Sequence, residues 1–387
     1  MTAPTRAGAL GEVVRLFSRL GLTAFGGPAA HLALMQREVV ERRQWLTRTQ
    51  FLDLVGACNL LPGPGSTQVA MALGFRQAGW IGLLAAGICF ILPASLSTLA
   101  LAWVYLHYGG LPAAQGILYG AKPVMLAILL QAIWLLGRSA YRSWALAGLG
   151  SASLAASLVG VPPLAVLLTA GGLTLLVQFA RSGAKTACGS LFLPELWKGK
   201  TVFAISAASA GSAAGLFSIA VVFLKLGVAV FGSGYVLLAF LQADLVDRLH
   251  WITPQLLLDA VTAGQLTPGP VFATATFLGF ILHGGSGAAL ATLAIFLPSF
   301  PMAAAAGSLA ARVRNSPRAA ALLDGVNAAA VALMASVMLP LGRATLVDGA
   351  AWAIALVSAV LLLRFRINAT WLILAAALAG AALHGLR

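Results

Sequence analysis

One tripeptide, Pro-Gly-Pro, interrupts a long apolar region of the chain in two places. It occurs at 62–64 and again at 268–270, an offset of 206 residues. Proline removes a backbone donor and clashes with the preceding helical turn, and glycine allows backbone angles that other residues avoid. Each copy therefore predicts a break between two short helices inside an otherwise helical region.

The tripeptide belongs to a much longer internal repeat. From Phe17 to Pro64, roughly twenty of about fifty positions are identical to the residues that lie 206 further along, which is more than shared composition produces. The offset then falls to 205, as between Pro93 and Pro298. The sequence thus predicts one ancestral unit used twice. Its predicted parts are an N-terminal membrane repeat (1–180), a basic cytoplasmic linker (181–200) and a C-terminal membrane repeat (201–387).

Composition indicates that these repeats lie in a membrane. Of the 387 residues, 60% are hydrophobic and only 9% are charged, and the mean hydropathy is +0.95. So little charge cannot cover a water-exposed surface, which predicts an all-α, polytopic membrane protein. The net charge of +14 comes mainly from arginines in short loops between apolar runs, which is the positive-inside pattern and argues against a nucleic-acid partner.

The cysteines and the N-terminal segment give two further expectations, both of them negative. The three cysteines have no metal-ligand spacing, so neither a metal nor another cofactor is expected. The N-terminus has no short apolar core with a cleavage site, so a cleaved signal peptide is not expected.

The apolar pattern divides each repeat into broken pieces followed by full-length spans. Pieces at 47–60 and 65–77 flank the first Pro-Gly-Pro, and each is shorter than the ~20 residues that span a bilayer. Longer candidates follow at about 80–106, 112–137, 143–160 and 161–180. The second repeat has pieces at 217–231, 254–267 and 271–283, then candidates at about 285–311, 319–342, 347–363 and 368–386.

The arginines predict that the second repeat is inverted relative to the first. If the segment 201–216 crosses the membrane, the loop arginines of both halves fall on the cytoplasmic face, except Arg248 and Arg343. If it does not cross, five arginines of the second half face outward, against the positive-inside rule. Inverted repeats of broken or re-entrant helices are typical of secondary transporters, whose substrate sites lie near the bilayer midplane where half-helices meet.

Several motifs of the first repeat are those of a known family. They are Phe25-Gly26-Gly27-Pro28, Trp45-Leu46-Thr47, Phe51-x-Asp53, the run from Asn59 to Gln68 (NLLPGPGSTQ), and Phe90-x-x-Pro93. With these motifs the chain resembles the chromate ion transporter family over nearly its whole length. The resemblance implies a two-repeat inner-membrane transporter that exports chromate and confers chromate resistance. Asn59 departs from the pattern, since many members have Gln there; the aligned residue of the second copy is Gln265.

The helix breaks predict where an oxyanion binds. Free backbone N–H groups at a helix N-terminus attract anions, and hydroxyl and amide side chains beside the breaks add donors. The candidate substrate-binding residues at the breaks are Gly26, Gly27, Pro28, Asn59, Pro62, Gly63, Pro64, Ser66, Thr67, Gln68, Gly232, Ser233, Gln265, Pro268, Gly269, Pro270 and Thr274. The alternative is that the breaks are structural kinks without a ligand.

Cations inside apolar stretches are the second group of substrate-binding candidates. Arg19 and Lys225 are aligned, and an intramembrane cation usually faces a cavity or a partner. Each could instead extend to the nearby membrane interface. Lys122, whose counterpart is Asn327, is predicted near the middle of the membrane. These two polar groups face the substrate cavity in one interpretation, and in the other Lys122 bonds carbonyls freed by the neighbouring proline.

Acidic side chains supply the coupling candidates. Asp53 and Asp259 are aligned just before the two Pro-Gly-Pro breaks. They either carry a coupling proton, pair with the two aligned cations, or cap the short helices. Glu38 and Asp244 are further candidates, with solvated pairing to the arginines four residues later as the alternative. His31 and the other histidines near helix ends lack zinc spacing, so an interfacial position is predicted for most of them.

The repeat architecture therefore predicts a secondary transporter and not an enzyme, and the resemblance implies chromate as its substrate. The chain has no Walker A phosphate loop, and the membrane potential favours the exit of a dianion. A transporter of sulfate or another small anion remains open, because sulfate is a tetrahedral dianion of similar size. A channel is a further alternative, as is a membrane-embedded lipid-phosphate enzyme, which would need a clustered acid or histidine site. The expected partners are a small oxyanion and the lipid bilayer, and a homodimer is compatible with the sequence.

Overall fold

The computed structural model describes residues 6–181, 214–231, 234–313, 316–365 and 367–385, which form helices joined by turns and short links. The first repeat contains α1 (Arg6–Thr23), α2 (Gly27–Gln36), α3 (Arg48–Leu60), α4 (Gly65–Tyr108), α5 (Pro112–Ala140), α6 (Trp144–Leu158) and α7 (Pro163–Arg181). The second contains α8 (Leu216–Ala229), α9 (Leu237–Leu241), α10 (Pro254–Leu266), α11 (Thr274–Phe296), α12 (Ser299–Val313), α13 (Pro317–Thr345), α14 (Gly349–Arg364) and α15 (Ala369–Gly385). Gly232, Ser233, nearly all of the linker and nearly all of the segment 201–216 lie outside the described residues.

The helix breaks predicted from glycine and proline are confirmed. α1 and α2 are separated at Gly26 and Gly27, whose φ angles of 102° and 79° are in the left-handed region. The first Pro-Gly-Pro separates α3 from α4, and the second separates α10 from a 3-10 turn, Val271–Ala273, that leads into α11. The glycines of both tripeptides, Gly63 and Gly269, also have positive φ, which a residue with a side chain rarely adopts.

α4 is a tight hairpin and not a straight rod. The helix reverses at Gly79 (φ 64°, ψ −149°), which divides it into the two predicted arms. After the reversal the backbones of Gly74 and Gly82 touch, because neither residue has a side chain to hold them apart. The same hairpin occurs at Gly284 in α11, so both repeats fold back at equivalent positions.

One predicted span is interrupted by a short turn. The candidate at 285–311 lies almost wholly within the helical stretch Val271–Leu309, but α11 ends at Phe296 and α12 begins at Ser299. Pro298 lies at this junction and has no N–H to donate to the preceding turn. Its counterpart Pro93 stays inside α4, so a proline alone does not decide whether the helix divides.

Smaller backbone features also recur between the repeats. Each has a π-helical segment, Arg37–Arg42 in the first and Gln242–Arg248 in the second. The next link has a residue at positive φ in both copies, Gln44 at 53° and His250 at 52°. These residues are 206 apart, so the internal repeat in the sequence is also a structural repeat.

The last helices of each repeat complete the core of the other. α5 packs along α14 and α15, and α13 packs along α6 and α7. Two aligned glycines permit this close packing: Gly120 lies against the Ala376 carbonyl, and Gly325 lies against the Ala170 carbonyl. The two repeats are therefore interlocked rather than two bodies that touch at one face.

In the described part of the chain, five helical stretches are long and apolar enough to cross a membrane. They are Gly65–Tyr108, Pro112–Ala140, Pro163–Ala180, Val271–Leu309 and Pro317–Thr345. α6, α8, α14 and the residues Ala369–Ala382 of α15 are apolar and shorter. The protein is a polytopic membrane protein made of two homologous repeats with broken helices.

Candidate functional site

Each Pro-Gly-Pro break is hydrogen-bonded to the break that follows the first helix of the other repeat, which is α1 in the first repeat and α8 in the second. The amide of Gly63 donates to the carbonyl of Val230 over 2.6 Å, and the amide of Gly269 donates to the carbonyl of Ala24 over 2.9 Å. Gly63 aligns with Gly269 and Ala24 aligns with Val230, each at an offset of 206, so the same contact is made once by each repeat. The second-repeat Pro-Gly-Pro thus completes the first-repeat break, and the reverse also holds.

The break that follows α1 and the break that follows α8 contact each other between these two hydrogen bonds. Gly234 lies against Pro28, its own counterpart in the repeat, which marks the approximate two-fold axis that relates the halves. A Cβ on Gly27 would lie only 2.6 Å from the Tyr235 hydroxyl, and that hydroxyl shares a hydrogen bond with Gln265. The four helix breaks therefore converge on one region at the centre of the repeat pair.

Buried polar atoms without protein partners lie beside this convergence. Gln68 donates through Nε2 to the carbonyl of Pro62 over 2.5 Å, while its Oε1 has no partner. Thr67 Oγ1, Ser299 Oγ and Gln265 Nε2 are also buried without a partner. Ser299 Oγ and Gln68 Nε2 both lie within about 3 Å of the position that a Cβ would take at Gly63. Unsatisfied buried polar atoms are costly and rare, so they indicate a place where water or a ligand binds.

His31 is an exception to the interfacial position predicted for most of the histidines. Its side chain is 1% exposed and lies at the convergence of the breaks. Nε2 is 3.1 Å from the Ala24 carbonyl and Nδ1 is 3.4 Å from Ser66 Oγ. The aligned residue of the second repeat is Leu237, a core residue. This signal in the repeat could have placed His31 inside the protein.

A first charge cluster, defined here as Arg19, Glu38, Arg42 and Arg43, lies between α1 and the first π-helical segment. Glu38 is 2.9 Å from Arg42, 3.7 Å from Arg43 and 3.8 Å from Arg19. The carboxylate is mostly buried, whereas Arg19 and Arg42 are more than half exposed. Arg19 and Glu38 line a small cavity of about 110 Å³. Three cations thus surround Glu38, and one of them, Arg43, also lies 3.9 Å from Glu12.

A second charge cluster, defined here as Lys225, Asp244 and Arg248, is the counterpart in the other repeat. Lys225 Nζ is 2.9 and 2.8 Å from the two carboxylate oxygens of Asp244, and Arg248 Nε is 3.2 Å away. Lys225 and Asp244 are mostly buried. All three residues line a cavity of about 550 Å³ whose far wall is the turn between α6 and α7.

A third ion pair joins the two repeats. Lys122 of α5 lies 3.0 Å from Oδ1 of Asp259 in α10, and the Tyr105 hydroxyl donates to Oδ2 over 3.1 Å. Asp259 is 4% exposed. The alternative in which Asp259 pairs with Lys225 is not seen, because Lys225 binds Asp244 on its own repeat.

Comparison with known proteins agrees with this architecture. A family model described as chromate transporter matches residues 11–175 and then residues 217–381. The chain belongs to the chromate transporter family. The two matches coincide with the two repeats of the structure, so this chain carries the family unit twice.

Curated relatives of this chromate transporter family member cover most of its length. A chromate transport protein of Cupriavidus metallidurans is 33% identical over 397 aligned residues, which cover 100% of this chain and 94% of that protein. A probable chromate transport protein of Synechococcus elongatus is 30% identical and covers 88% of this chain and 86% of its own length. An uncharacterized transporter of Methanocaldococcus jannaschii is 27% identical over 73% of this chain and 72% of its own. No solved structure matches.

The structure brings together many of the candidate residues of this family member. Both Pro-Gly-Pro tripeptides, Gly26 to Pro28, Ser66 to Gln68 and Gln265 lie at the convergence. Thr274 is buried there too, but it bonds the carbonyl of Val271 at the start of its own helix. Arg19 and Lys225 lie in the two separate charge clusters instead.

Two further candidates lie on the outside of the protein. Asn59 is exposed, although its Oδ1 approaches Gly65, and Asn327 is exposed on α13. Glu38 and Asp244 do pair with the arginines four residues later. However, the expectation of solvated acids is wrong, since both carboxylates are mostly buried beneath their cations.

Proposed function

We propose that this protein is a secondary transporter that exports chromate from the cytoplasm across the inner membrane. The observation that carries the proposal is the crossed pair of Pro-Gly-Pro breaks, with unpartnered polar atoms of Thr67, Gln68, Gln265 and Ser299 beside them. Family membership and the names of the relatives support the chemical identity of the substrate.

The substrate site in this proposal lies at the start of α4. The amides in the first turn of a helix have no partner within the helix, and the helix dipole favours an anion there. The hydroxyls of Thr67 and Ser299 and the Gln265 amide can donate to chromate oxygens. A tetrahedral oxyanion accepts hydrogen bonds in several directions, which suits donors contributed by both repeats.

In this proposal the two charge clusters are additional anion-binding sites on the transport path, one on either side of the substrate site. In the first cluster three cations face Glu38 and Glu12, so a dianion is attracted there and competes with Glu38 for the cations. In the second cluster Lys225 and Arg248 share their cavity with Asp244 and Asp247, so a dianion would have to displace Asp244 from its cations. If the second repeat is inverted, the aligned clusters lie toward opposite faces of the membrane. This arrangement provides one cationic entrance or exit for each half.

The membrane potential is sufficient to drive export. Moving one charge across the membrane is worth ~2.3 kcal/mol per 100 mV. A dianion that leaves a negative interior therefore gains about 5 kcal/mol at that potential. Glu38, Asp244, Asp53 and Asp259 are the residues to test for any proton coupling. A homodimer remains a prediction from the sequence.

Chromate uptake into inside-out membrane vesicles tests the proposal, because uptake in this orientation corresponds to export. Excess sulfate is added as competitor, and the potential and the pH gradient are collapsed separately. We expect uptake that resists sulfate, depends on the potential and is lost in Ser299→Ala, since that change removes an unpartnered donor. Ser308→Ala is the matched control, because Ser308 is exposed and bonds its own helix.

Three results would change this conclusion. If excess sulfate abolishes chromate uptake, the protein is a transporter of several small anions and is not specific for chromate. Full activity of Ser299→Ala would remove this hydroxyl from the site. Absence of any anion flux, together with lipid-phosphate turnover by the purified protein, would favour the enzyme alternative.

A further inference from the structure

The helices before the two Pro-Gly-Pro breaks, α3 and α10, align but are covered differently. In α10 nine consecutive residues, 257–265, are buried, and the helix packs on α5, α11 and α13. In α3 only four residues are buried, and the helix packs mainly on α12 and α4. The aligned residues Leu258 and Leu52 show the difference, since they are 0% and 52% exposed.

One ion pair belongs to the covered arrangement alone. Lys122 reaches Asp259 only because α10 lies on α5, and the Tyr105 hydroxyl binds the second carboxylate oxygen. The symmetric position would use Asp53 of α3 and Asn327 of α13. Asparagine carries no charge, so an ion pair between these two residues cannot form when α3 is covered.

The asymmetry between α3 and α10 matters if the two repeats exchange conformations during transport. In transporters built from inverted repeats, access alternates when one repeat or bundle moves against the other around the site. Such an exchange here would uncover α10, cover α3 and separate Lys122 from Asp259. Breaking a buried pair without a replacement partner is strongly unfavourable, and Asp53 with Asn327 does not offer an equivalent.

We propose that Lys122 and Asp259 form a lock that favours the conformation with α10 covered. The opposite conformation is then less stable, because its symmetric position lacks a cation. The proposal rests on the transport function proposed above, since it assumes that the repeats exchange conformations. It adds that the two states are unequal in free energy and that one ion pair is the main cause.

Thiol accessibility at two aligned positions tests the lock without any transport assay. The natural cysteines (Cys58, Cys89 and Cys188) are replaced by alanine, and a single reporter is introduced as Gly56→Cys on α3 or Thr262→Cys on α10. A Cβ at Gly56 has open space around it, and Thr262 is 1% exposed. Maleimide modification of membrane vesicles of both orientations is expected to be faster at position 56 than at position 262.

Breaking the lock should move the two reporters in opposite directions. With Lys122→Asn, we expect modification at 262 to rise about tenfold, which equals the loss of ~1.4 kcal/mol of preference and is at the low end for a close charge pair. Modification at 56 should fall. Adding Asn327→Lys, which supplies a cation for Asp53, should lower modification at 56 further.

Controls separate a lock from a merely structural ion pair. The charge swap Lys122→Asp with Asp259→Lys should restore protection at 262. A rise at both reporters in Lys122→Asn would mean general loosening and would overturn the proposal, as would unchanged rates at both. Chromate uptake by the unmodified protein is measured in parallel, so that failure of the transport function is distinguished from failure of the lock.

Discussion

α3 and α10 descend from the same segment, share the threonine caps Thr47 and Thr253 and end at the same tripeptide, yet only α10 is enclosed. The two charge clusters also differ in burial, and the cluster of the second repeat is again the more buried one. Lys225 and Asp244 are mostly buried, whereas most of Arg19 is exposed. The backbone features are therefore kept in both copies, while the burial and the charges have diverged. The comparison teaches that the repeat sets the architecture and that the differences between the copies set which state is favoured.

The largest effect should come from the feature that is the same in both halves. Gly120→Leu and Gly325→Leu each place a side chain where the backbone of the opposite repeat lies. Because backbone cannot move aside as a side chain can, we expect each to cost about 3 kcal/mol or more and to prevent the repeats from interlocking.

Detergent-solubilised protein followed by size-exclusion chromatography measures this loss. Gly172→Leu is the control, since a Cβ there has no atom within 4 Å and the protein should remain monodisperse. Normal elution and thermal stability of both glycine variants would show that the halves do not depend on this close packing.

A smaller and unequal effect is expected at the charge clusters. Asp244→Asn leaves Lys225 mostly buried without its carboxylate, so the loss should be about 2–3 kcal/mol. Glu38→Gln should cost only about 1 kcal/mol, because two of its three cations, Arg19 and Arg42, are more than half exposed and solvent screens them, and the third, Arg43, lies 3.7 Å away. Thermal unfolding midpoints of the two variants in one detergent give the comparison. Equal destabilisation would contradict the difference in burial between the clusters.

The smallest effect should appear at the helix caps. Thr47 and Thr253 accept hydrogen bonds from the amides of Gln50 and Leu256, so Thr47→Ala and Thr253→Ala should each cost about 1 kcal/mol. Thr47 has in addition a capping box, since the Gln50 side chain accepts from its amide. That second bond is donated by the backbone of residue 47 and survives Thr47→Ala, so the two losses should agree within a few tenths of a kcal/mol on the same unfolding assay. A clearly larger loss at either position would show that the threonine makes more than the cap bond.

The helices and their breaks were predictable because glycine, proline and apolar runs act locally. The arms of α4 and the boundaries of α3, α5 and α10 match the sequence pattern within a few residues. The pairing of helices across repeats was not predictable, because an apolar helix face does not specify which other apolar face covers it. Lys122 and Asp259 are 137 residues apart, and only the crossing of α5 by α10 brings them together.

Part of the candidate site was also predictable from the sequence, and part was not. The Pro-Gly-Pro tripeptides and the polar residues that follow them were identified, since they combine a forced break with donors. Ser299 was not identified, although it follows Pro298, because the aligned residue after Pro93 is Ala94, which has no hydroxyl. It reaches the convergence only because α12 packs against α3 and α4 of the other repeat. The arginines four residues after Glu38 and Asp244 follow from helical spacing, whereas the lysine partners of Asp244 and Asp259 depend on how the helices pack.

The central claim is that the crossed helix breaks bind the oxyanion. Crystals of the protein soaked with chromate and measured at the chromium absorption edge test it directly, because anomalous scattering locates the metal atom of the substrate. We predict a chromium peak at the start of α4, within hydrogen-bonding reach of Thr67 and Ser299 through the chromate oxygens. A peak confined to the two charge clusters, with none at the convergence of the breaks, would contradict the account.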